Sequence, residues 1–201
     1  MYKQEMRSIL ISSFTFLLFS CSSTYTNIDP SGKTFPKISG SSLNGKKYSI
    51  PADFSGEKIL LLVGFKRKSQ FDIDRWTIGL DQTKTRVKTI ELPATQGWFP
   101  ILFNDMIDNG MRNGIPNEFW KDVITVYDDG ETVQQFTGNQ NPLNCRVILL
   151  DSSGKVIFFH DRGFSVKALN LSLIHISEPT RRTPKSYAVF CLKNKPGGGG
   201  G

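Results

Sequence analysis

The fold is decided by the stretch Ile59-Leu60-Leu61-Leu62-Val63-Gly64-Phe65-Lys66-Arg67-Lys68-Ser69-Gln70. Its apolar run, residues 59–65, is too short to span a bilayer and is typical of a strand covered on both faces. Ser69 with Asp72 three residues later fits a capping box at a helix start. We expect the packed face of that helix to carry Phe71, Ile73, Trp76 and Leu80. Many α/β folds place their chemistry where a strand meets such a helix, but this loop holds no cysteine, histidine or glycine-rich segment.

The rest of the chain alternates strand and helix patterns. Asn44-Gly45 predicts the turn of an edge hairpin, and Ser152-Ser153-Gly154 predicts a second hairpin turn. The predicted elements are a hairpin over 33–51, strands at 87–92, 122–127, 146–151 and 155–160, helices at 101–110 and 131–136, and a last helix from Ser165. This order predicts an α/β fold, a mixed sheet with a parallel part, an antiparallel edge and helices on both faces.

The N-terminus has the pattern of a secretion signal. Lys3 and Arg7 precede a short apolar core, and small Ser20 stands just before Cys21. This resembles the lipobox of bacterial lipoproteins and implies that Cys21 carries lipid. The domain would then face the periplasm or the exterior of a bacterial cell envelope. An ordinary signal peptide or an uncleaved anchor is the alternative. We assign 1–20 to the signal and 21–32 to a polar tether.

Residues 171–201 resemble translated sequencing adapter instead of protein. Leu171–Arg181 matches the read-through strand of a transposase-type adapter, and Ser186–Leu192 matches its flow-cell end. Residues 182–185 stand where a sample index would lie, and Gly197–Gly201 follow as a poly-G run. We therefore expect an artefactual tail over 171–201, a domain over 33–170 and a truncated C-terminal helix.

The basic charge of the chain belongs mostly to its two ends. All 201 residues carry a net charge of +7, but residues 22–170 contain 18 Lys and Arg against 16 Asp and Glu. No basic patch interleaved with aromatic residues remains, so we expect no nucleic-acid partner. With Cys21 assigned to lipid and Cys191 to adapter, Cys145 stands alone and cannot form an internal disulfide.

Several segments resemble the thioredoxin-like superfamily, in its peroxiredoxin and TlpA-type branch. The hydrophobic-strand, Asp-x-x-Gly-Lys, strand signature is matched by Val147–Ile157. The closest resemblance is to ATP10-related proteins. It rests on Phe35-Pro36, Leu43-Asn-Gly-Lys46, Val63-Gly-Phe-Lys66 with Gln70 and Trp76, and Gly110-Met-Arg-Asn-Gly-Ile-Pro116. The resemblance implies an assembly-factor role at a membrane complex.

The chain departs from the superfamily where redox chemistry would lie. Lys68-Ser69-Gln70-Phe71 stands in place of Cys-x-x-Cys, in which a helix N-terminus stabilises a thiolate. The cis-proline of such enzymes would fall near Cys145, three residues from Pro142. Dithiol exchange therefore has no chemical basis here. We predict a protein that is not an enzyme and uses no cofactor.

A protein partner is the remaining candidate function. Lys66, Arg67 and Lys68 are suited to an anionic head group or an acidic partner segment, with Gln70, Met111 and Arg112 as further contacts. The alternative is a solvated loop. The apolar stretch from Trp98 to Phe103, with Met106 and Met111, is either core or a partner surface, and we expect core.

Other candidate groups have simpler explanations. Cys145 is either a lone reactive thiol facing the Ser69 loop or core filler, and we expect filler. His160 has no second ligand nearby, and Asp128, Asp129 and Glu131 lack the alternating oxygens of a calcium loop, so we predict no metal site. Two hypotheses result. One is a membrane-tethered, non-catalytic thioredoxin-like binding protein, and the other is a single-cysteine redox protein using Cys145.

Overall fold

The computed structural model describes residues 23–177, with all side chains in that range except those of Trp98 and Phe99. The strands are β1 (Ile38–Ser42), β2 (Lys47–Ile50), β3 (Ile59–Gly64), β4 (Lys88–Pro93), β5 (Ile124–Thr125), β6 (Arg146–Leu150) and β7 (Val156–His160). The helices are α1 (Gln70–Gln82), α2 (Trp98–Leu102), α3 (Asn104–Gly114), α4 (Gly130–Thr137) and α5 (Val166–Ser177). Within this range no helix is both long and apolar enough to cross a membrane.

The central sheet has the strand order β4-β3-β6-β7. β3 pairs with β4 in parallel, whereas β6 runs antiparallel to both β3 and β7. A second sheet, β2-β1-β5, is joined to β4 through the parallel bridges Glu91–Val123 and Ala94–Val126. A parallel β-α-β unit, an antiparallel hairpin and a closing helix in this order make the thioredoxin-like fold. The predicted mixed sheet is confirmed.

Two hydrophobic cores lie on opposite faces of β3. Leu61 and Val63 point to one face, where they pack with residues of the β1–β2 hairpin and with Val133 of α4. Leu60 and Leu62 point to the other, where α1 and α5 cover the sheet. Because every residue of β3 is buried, its sequence has no polar alternation. That is why the strand could be predicted so easily.

Helix α1 begins as predicted, but without the capping box. The hydroxyl of Ser69 makes no hydrogen bond to the helix N-terminus and donates instead to the carbonyl of Lys66, at 2.6 Å. Asp72 is buried and accepts backbone N–H groups from two distant segments. Ile73, Trp76 and Leu80 pack in the core as expected, but Phe71 is 69% exposed, so its assignment to the packed face is wrong.

Two short helices lie where one was predicted over 101–110, and the expected core role is wrong for Ile101, Leu102, Phe103 and Met106. Leu102 is 67% exposed and Met106 is 62% exposed, while Ile101 and Phe103 are also exposed. Helix α3 contains no buried residue. The spacing of the apolar residues therefore predicted a helix correctly, but the apolar side of that helix does not face the sheet.

Both ends of the described chain lie against the domain. Within the predicted tether, Ile28 donates its N–H to Thr137 and Asn139 donates its own to Tyr25, so this segment follows the end of α4. At the other end, α5 continues through Leu171 to Ser177. The predicted signal (1–20), Cys21 and residues 178–201 lie outside the described residues.

Candidate functional site

The candidate site lies at the carboxyl end of β3, where the chain turns into α1. Gly64 allows a close approach there, because a Cβ at that position would stand 2.5 Å from the Ser69 hydroxyl oxygen. A single 3-10 turn, Arg67–Ser69, buries Ser69 and leaves Lys66, Arg67 and Lys68 exposed. The loop therefore presents three cations to solvent, with its one hydroxyl already bonded internally.

A carboxylate that sequence analysis missed stands beside this loop. Gln70 donates its amide N–H groups to Asp74 at 3.0 Å and to Glu91 at 3.3 Å. Burial raises the pKa of Glu91 to about 6, although the Gln70 hydrogen bond works against that rise. The available signal was an acidic residue inside a strand pattern, Ile90-Glu91-Leu92, at a position next to the central strand.

Cys145 is fully buried in the core between the sheet and α1. Burial raises the pKa of its thiol, and the nearby carboxylates of Asp72 and Glu91 raise it further. Its backbone N–H donates to Asp72 at 2.8 Å. These surroundings are those of a packed, protonated thiol, because reactive cysteines need access and a lowered pKa.

Arg146 follows Cys145 and was not predicted as a site residue. It is fully buried, and its guanidinium donates to backbone carbonyls of Asn141, Asn144 and Gly138. It also lies 4.8 Å from the centre of the Phe65 ring, while its Nε atom has no hydrogen-bond partner. Burial lowers the pKa of this guanidinium. An arginine at the start of an apolar strand gave no sequence signal for burial.

The two remaining predicted contact residues lie elsewhere. Arg112 donates to the carbonyl of Leu43 at 2.8 Å and to Asn109 at 2.7 Å, so its guanidinium is held at the hairpin turn. Met111 precedes it on α3 and is half-buried. Lys66, Arg67, Lys68 and Gln70 lie together at the turn into α1, whereas Arg112 is bonded at the hairpin turn.

The dismissed metal candidates have other partners. The ring of His160 contacts the carbonyl of Gly163 at 2.7 Å, and Asp129 accepts the N–H of Ser39 at 2.7 Å. Across residues 23–177 no three His, Cys, Asp or Glu side chains are grouped so that they could hold a metal ion.

A groove of about 630 Å³ lies at the β7 edge of the sheet, and sequence analysis gave no sign of it. The groove runs between the N-terminal segment, the end of β7 and the start of α5. Its charged lining residues are Asp29, Asp161, Arg162 and Lys167. Mixed charge of this kind selects no single ligand class.

Comparison with known proteins finds similarity at the level of solved structures. No protein-family model matches the sequence, and no curated protein matches it significantly. The exposed lipoprotein thioredoxin of Streptococcus pneumoniae strain TIGR4 is 12% identical, with a TM-score of 0.47, over 70% of this chain and 99% of that one. Copper-bound yeast Sco1 is 10% identical, with a TM-score of 0.49, over 79% and 98%. A SCO1/SenC family lipoprotein from Bacillus anthracis is 12% identical, with a TM-score of 0.48, over 75% and 97%.

Proposed function

We propose that this protein is a membrane-tethered, non-catalytic thioredoxin-like lipoprotein that binds another protein. The observation that carries the proposal is the state of Cys145. It is the only cysteine among residues 23–177, and it is fully buried with a raised thiol pKa. At the corner where thioredoxin-type enzymes attack disulfides, this chain has Lys68-Ser69-Gln70-Phe71. A domain whose described residues hold no accessible thiol is suited to binding instead of exchange.

The tether in this proposal is a lipid on Cys21. The support is the basic start, the short apolar core and the small residue before Cys21. Expression with an alkyne fatty acid should label the full chain and place it in the membrane fraction. Cys21→Ser should lose both the label and the membrane fraction, whereas Cys191→Ser should keep both. Labelling that survives Cys21→Ser would refute the tether.

The binding surface in this proposal is the cationic loop at the end of β3, and its partner is an acidic segment of a membrane complex. Lys66, Arg67 and Lys68 are all exposed, and Gln70 follows them as the first residue of α1. The ATP10-related resemblance supports an assembly role, with Met111 and Arg112 as a second, separate contact. An anionic lipid head group is the other ligand of the same chemistry.

Charge reversal tests this surface. The unaltered chain should crosslink to its partner in the native membrane. The triple variant Lys66→Glu, Arg67→Glu, Lys68→Glu should give a crosslinking yield at least tenfold lower. The matched control reverses three other exposed lysines, Lys37, Lys46 and Lys47, and should keep the crosslink. Equal crosslinking yields from both variants would show that the partner does not bind at this loop.

The redox alternative is tested by thiol labelling in a Cys21→Ser, Cys191→Ser background, in which Cys145 is the one remaining thiol. A buried thiol should react with an aromatic disulfide reagent only at the rate of unfolding, so the rate should rise steeply with denaturant. Labelling within seconds in native buffer, or a trapped mixed disulfide that Cys145→Ser abolishes, would favour the single-cysteine redox protein.

The origin of residues 171–201 in sequencing adapter also belongs to this proposal. Its support is the order of adapter, index, adapter and poly-G. Amplification and sequencing of the source DNA across codon 170 should give codons after Asn170 that differ from those of residues 171–201. Recovery of the same codons from an adapter-free template would refute the assignment.

A further inference from the structure

The first described residues lie at one defined end of the molecule. Asn139 donates its side-chain N–H to the carbonyl of Ser23 at 2.9 Å. Tyr25 donates its backbone N–H to the Asn139 side chain at 2.7 Å and accepts the backbone N–H of Asn139 at 3.0 Å. The chain is therefore held against the loop after α4 from Ser23 onward, two residues after Cys21.

A series of hydrogen bonds connects this start to the carboxyl ends of β3 and β4. Asn139 donates to the Gln134 side chain at 2.6 Å, and Gln134 donates to the carbonyl of Ala94 at 3.1 Å. Ala94 in turn donates its N–H to the carbonyl of Gly64 at 2.9 Å. Gly64 is the last residue of β3, so the chain start lies at the same end of the sheet as the cationic loop.

Exposed apolar side chains are found at this end as well. Helix α2 begins four residues after Ala94 and carries Ile101, 43% exposed, and Leu102, 67% exposed. Met106, four residues after Leu102 and near the start of α3, is 62% exposed. Helix α3 is held near the end of β5 by Tyr127, whose hydroxyl contacts the Asp108 carboxylate at 2.6 Å and the carbonyl of Asn104, the first residue of the helix, at 3.4 Å. Neighbouring exposed apolar residues of this kind mark a contact surface.

We propose that this end of the molecule rests on the bilayer that holds the lipid of Cys21, with Ile101, Leu102 and Met106 in the interfacial region. The inference rests on the proposed lipidation. Two residues reach at most about 7 Å when fully extended, and an interfacial apolar face sinks about 5–10 Å into the boundary of head groups and acyl chains. A domain anchored so closely cannot stand clear of the surface.

Charge at the same end agrees with this orientation. The Lys66–Lys68 loop would lie at head-group level, where anionic lipid attracts basic residues. The proposed partner contact would then take place at the membrane plane. An acidic segment next to a membrane span would meet these cations without leaving the surface.

Depth-dependent labelling of the lipidated full chain tests the proposal. Leu102→Cys is made in a Cys145→Ala, Cys191→Ser background, and a polarity-sensitive fluorophore is attached. The chain is placed in vesicles of phosphatidylethanolamine and phosphatidylglycerol. The matched control is Ile78→Cys on α1, which is 56% exposed and lies more than two turns from the site end of that helix. Flotation of the vesicles reports anchoring independently of the fluorophore.

We expect the label at 102 to shift to the blue and to be quenched by brominated lipid at least threefold more than the label at 78. Equal, water-like signals from both labels in floated vesicles would overturn the proposal and leave the lipid anchor intact. Failure of the chain to float would overturn the anchor and the proposal together. A shift at 102 in native membranes but not in pure lipid would overturn it in favour of a protein partner.

Discussion

Asp72 shows how one buried carboxylate can connect three segments of a fold. It lies on the first turn of α1 and accepts the N–H of Cys145 at 2.8 Å and that of Phe164 at 2.8 Å. These donors begin β6 and lead into α5, so the side chain holds the strand and the closing helix against α1. Asp72 therefore accepts hydrogen bonds inside the fold and does not cap the start of α1.

Removal of that acceptor should be costly. Asp72→Ala leaves two buried N–H groups without partners, so we expect a loss of about 2–4 kcal/mol in the free energy of unfolding. The measurement is urea denaturation followed by tryptophan fluorescence. Asp74→Ala, an exposed carboxylate on the same helix, should change the stability by less than about 1 kcal/mol. Similar losses from both variants would contradict this role for Asp72.

Glu91 should make stability depend on pH. Its pKa is raised to about 6 by burial, above the ordinary value of 4.5, so the folded state binds the proton more tightly than the unfolded state. Stability from this group is then full below pH 4.5 and is lost as pH rises through 6. Glu91→Gln should therefore be more stable than the unaltered chain by about 1–2 kcal/mol at pH 7.5, with the difference vanishing near pH 4.5.

Urea unfolding at pH 4.5, 6 and 7.5 measures that difference. Glu57→Gln replaces an exposed carboxylate ahead of β3 and serves as the control for the same substitution outside the buried position. A Glu91→Gln gain that is constant across the three pH values would show that the gain comes from packing and not from ionisation.

At the scale of elements, the N-terminal segment depends on one glycine. Gly138 ends α4 at φ +75°, and a Cβ there would overlap the Cα of Asn27 and the carbonyl of Thr26. Gly138→Ala should therefore release residues 23–30, and hydrogen exchange of the Ile28 and Asn139 amides should become faster by at least tenfold.

Gly56→Ala is the matched control for this experiment. Its φ is +98°, but nothing lies within 4 Å of the added Cβ. It should show only the backbone strain of about 1–2 kcal/mol that is typical of a positive φ. Amide exchange in the 23–30 segment that stays slow in Gly138→Ala would mean that the loop can move aside.

The sequence predicted correctly those elements whose local pattern fits one environment well. The run Ile59–Val63 is apolar throughout and of strand length, which favours a covered strand, and Asn44-Gly45 is typical of a tight hairpin turn. The apolar spacing around Leu102 and Met106 is different, because a face turned to the core and a face turned to a partner have the same period. Asp72 and Arg146 were misassigned or missed for a related reason, since their partners come from segments that are distant in sequence.

At the scale of the whole molecule, both cores share one sheet, so uncovering either face should weaken the entire domain. α5 covers the face formed by Leu60 and Leu62, and its last two turns add the fully buried Ser172 and the partly buried Leu173. Lys58 also donates to the carbonyl of His175 at 3.1 Å. These contacts fall within the residues assigned to adapter, so the sequence there supports a helix whatever its origin.

Truncation separates the contribution of those last turns from that of the tail. A chain ending at Asn170 keeps only the first five residues of α5, too few for a stable helix. We expect its Tm to fall by about 6–12 °C relative to a chain ending at Ser177, from a loss of about 3 kcal/mol. The chain ending at Ser177 and the full 201 residues should melt together, because the contacts that α5 makes with this face come from residues up to Ile176. If the natural sequence differs after Asn170, the natural C-terminus should cover Leu60 and Leu62 better. The natural chain should then have a higher Tm than the chain ending at Ser177 and the 201-residue chain. Equal Tm values for the natural frame and the chain ending at Asn170 would mean that the sheet face is stable without α5.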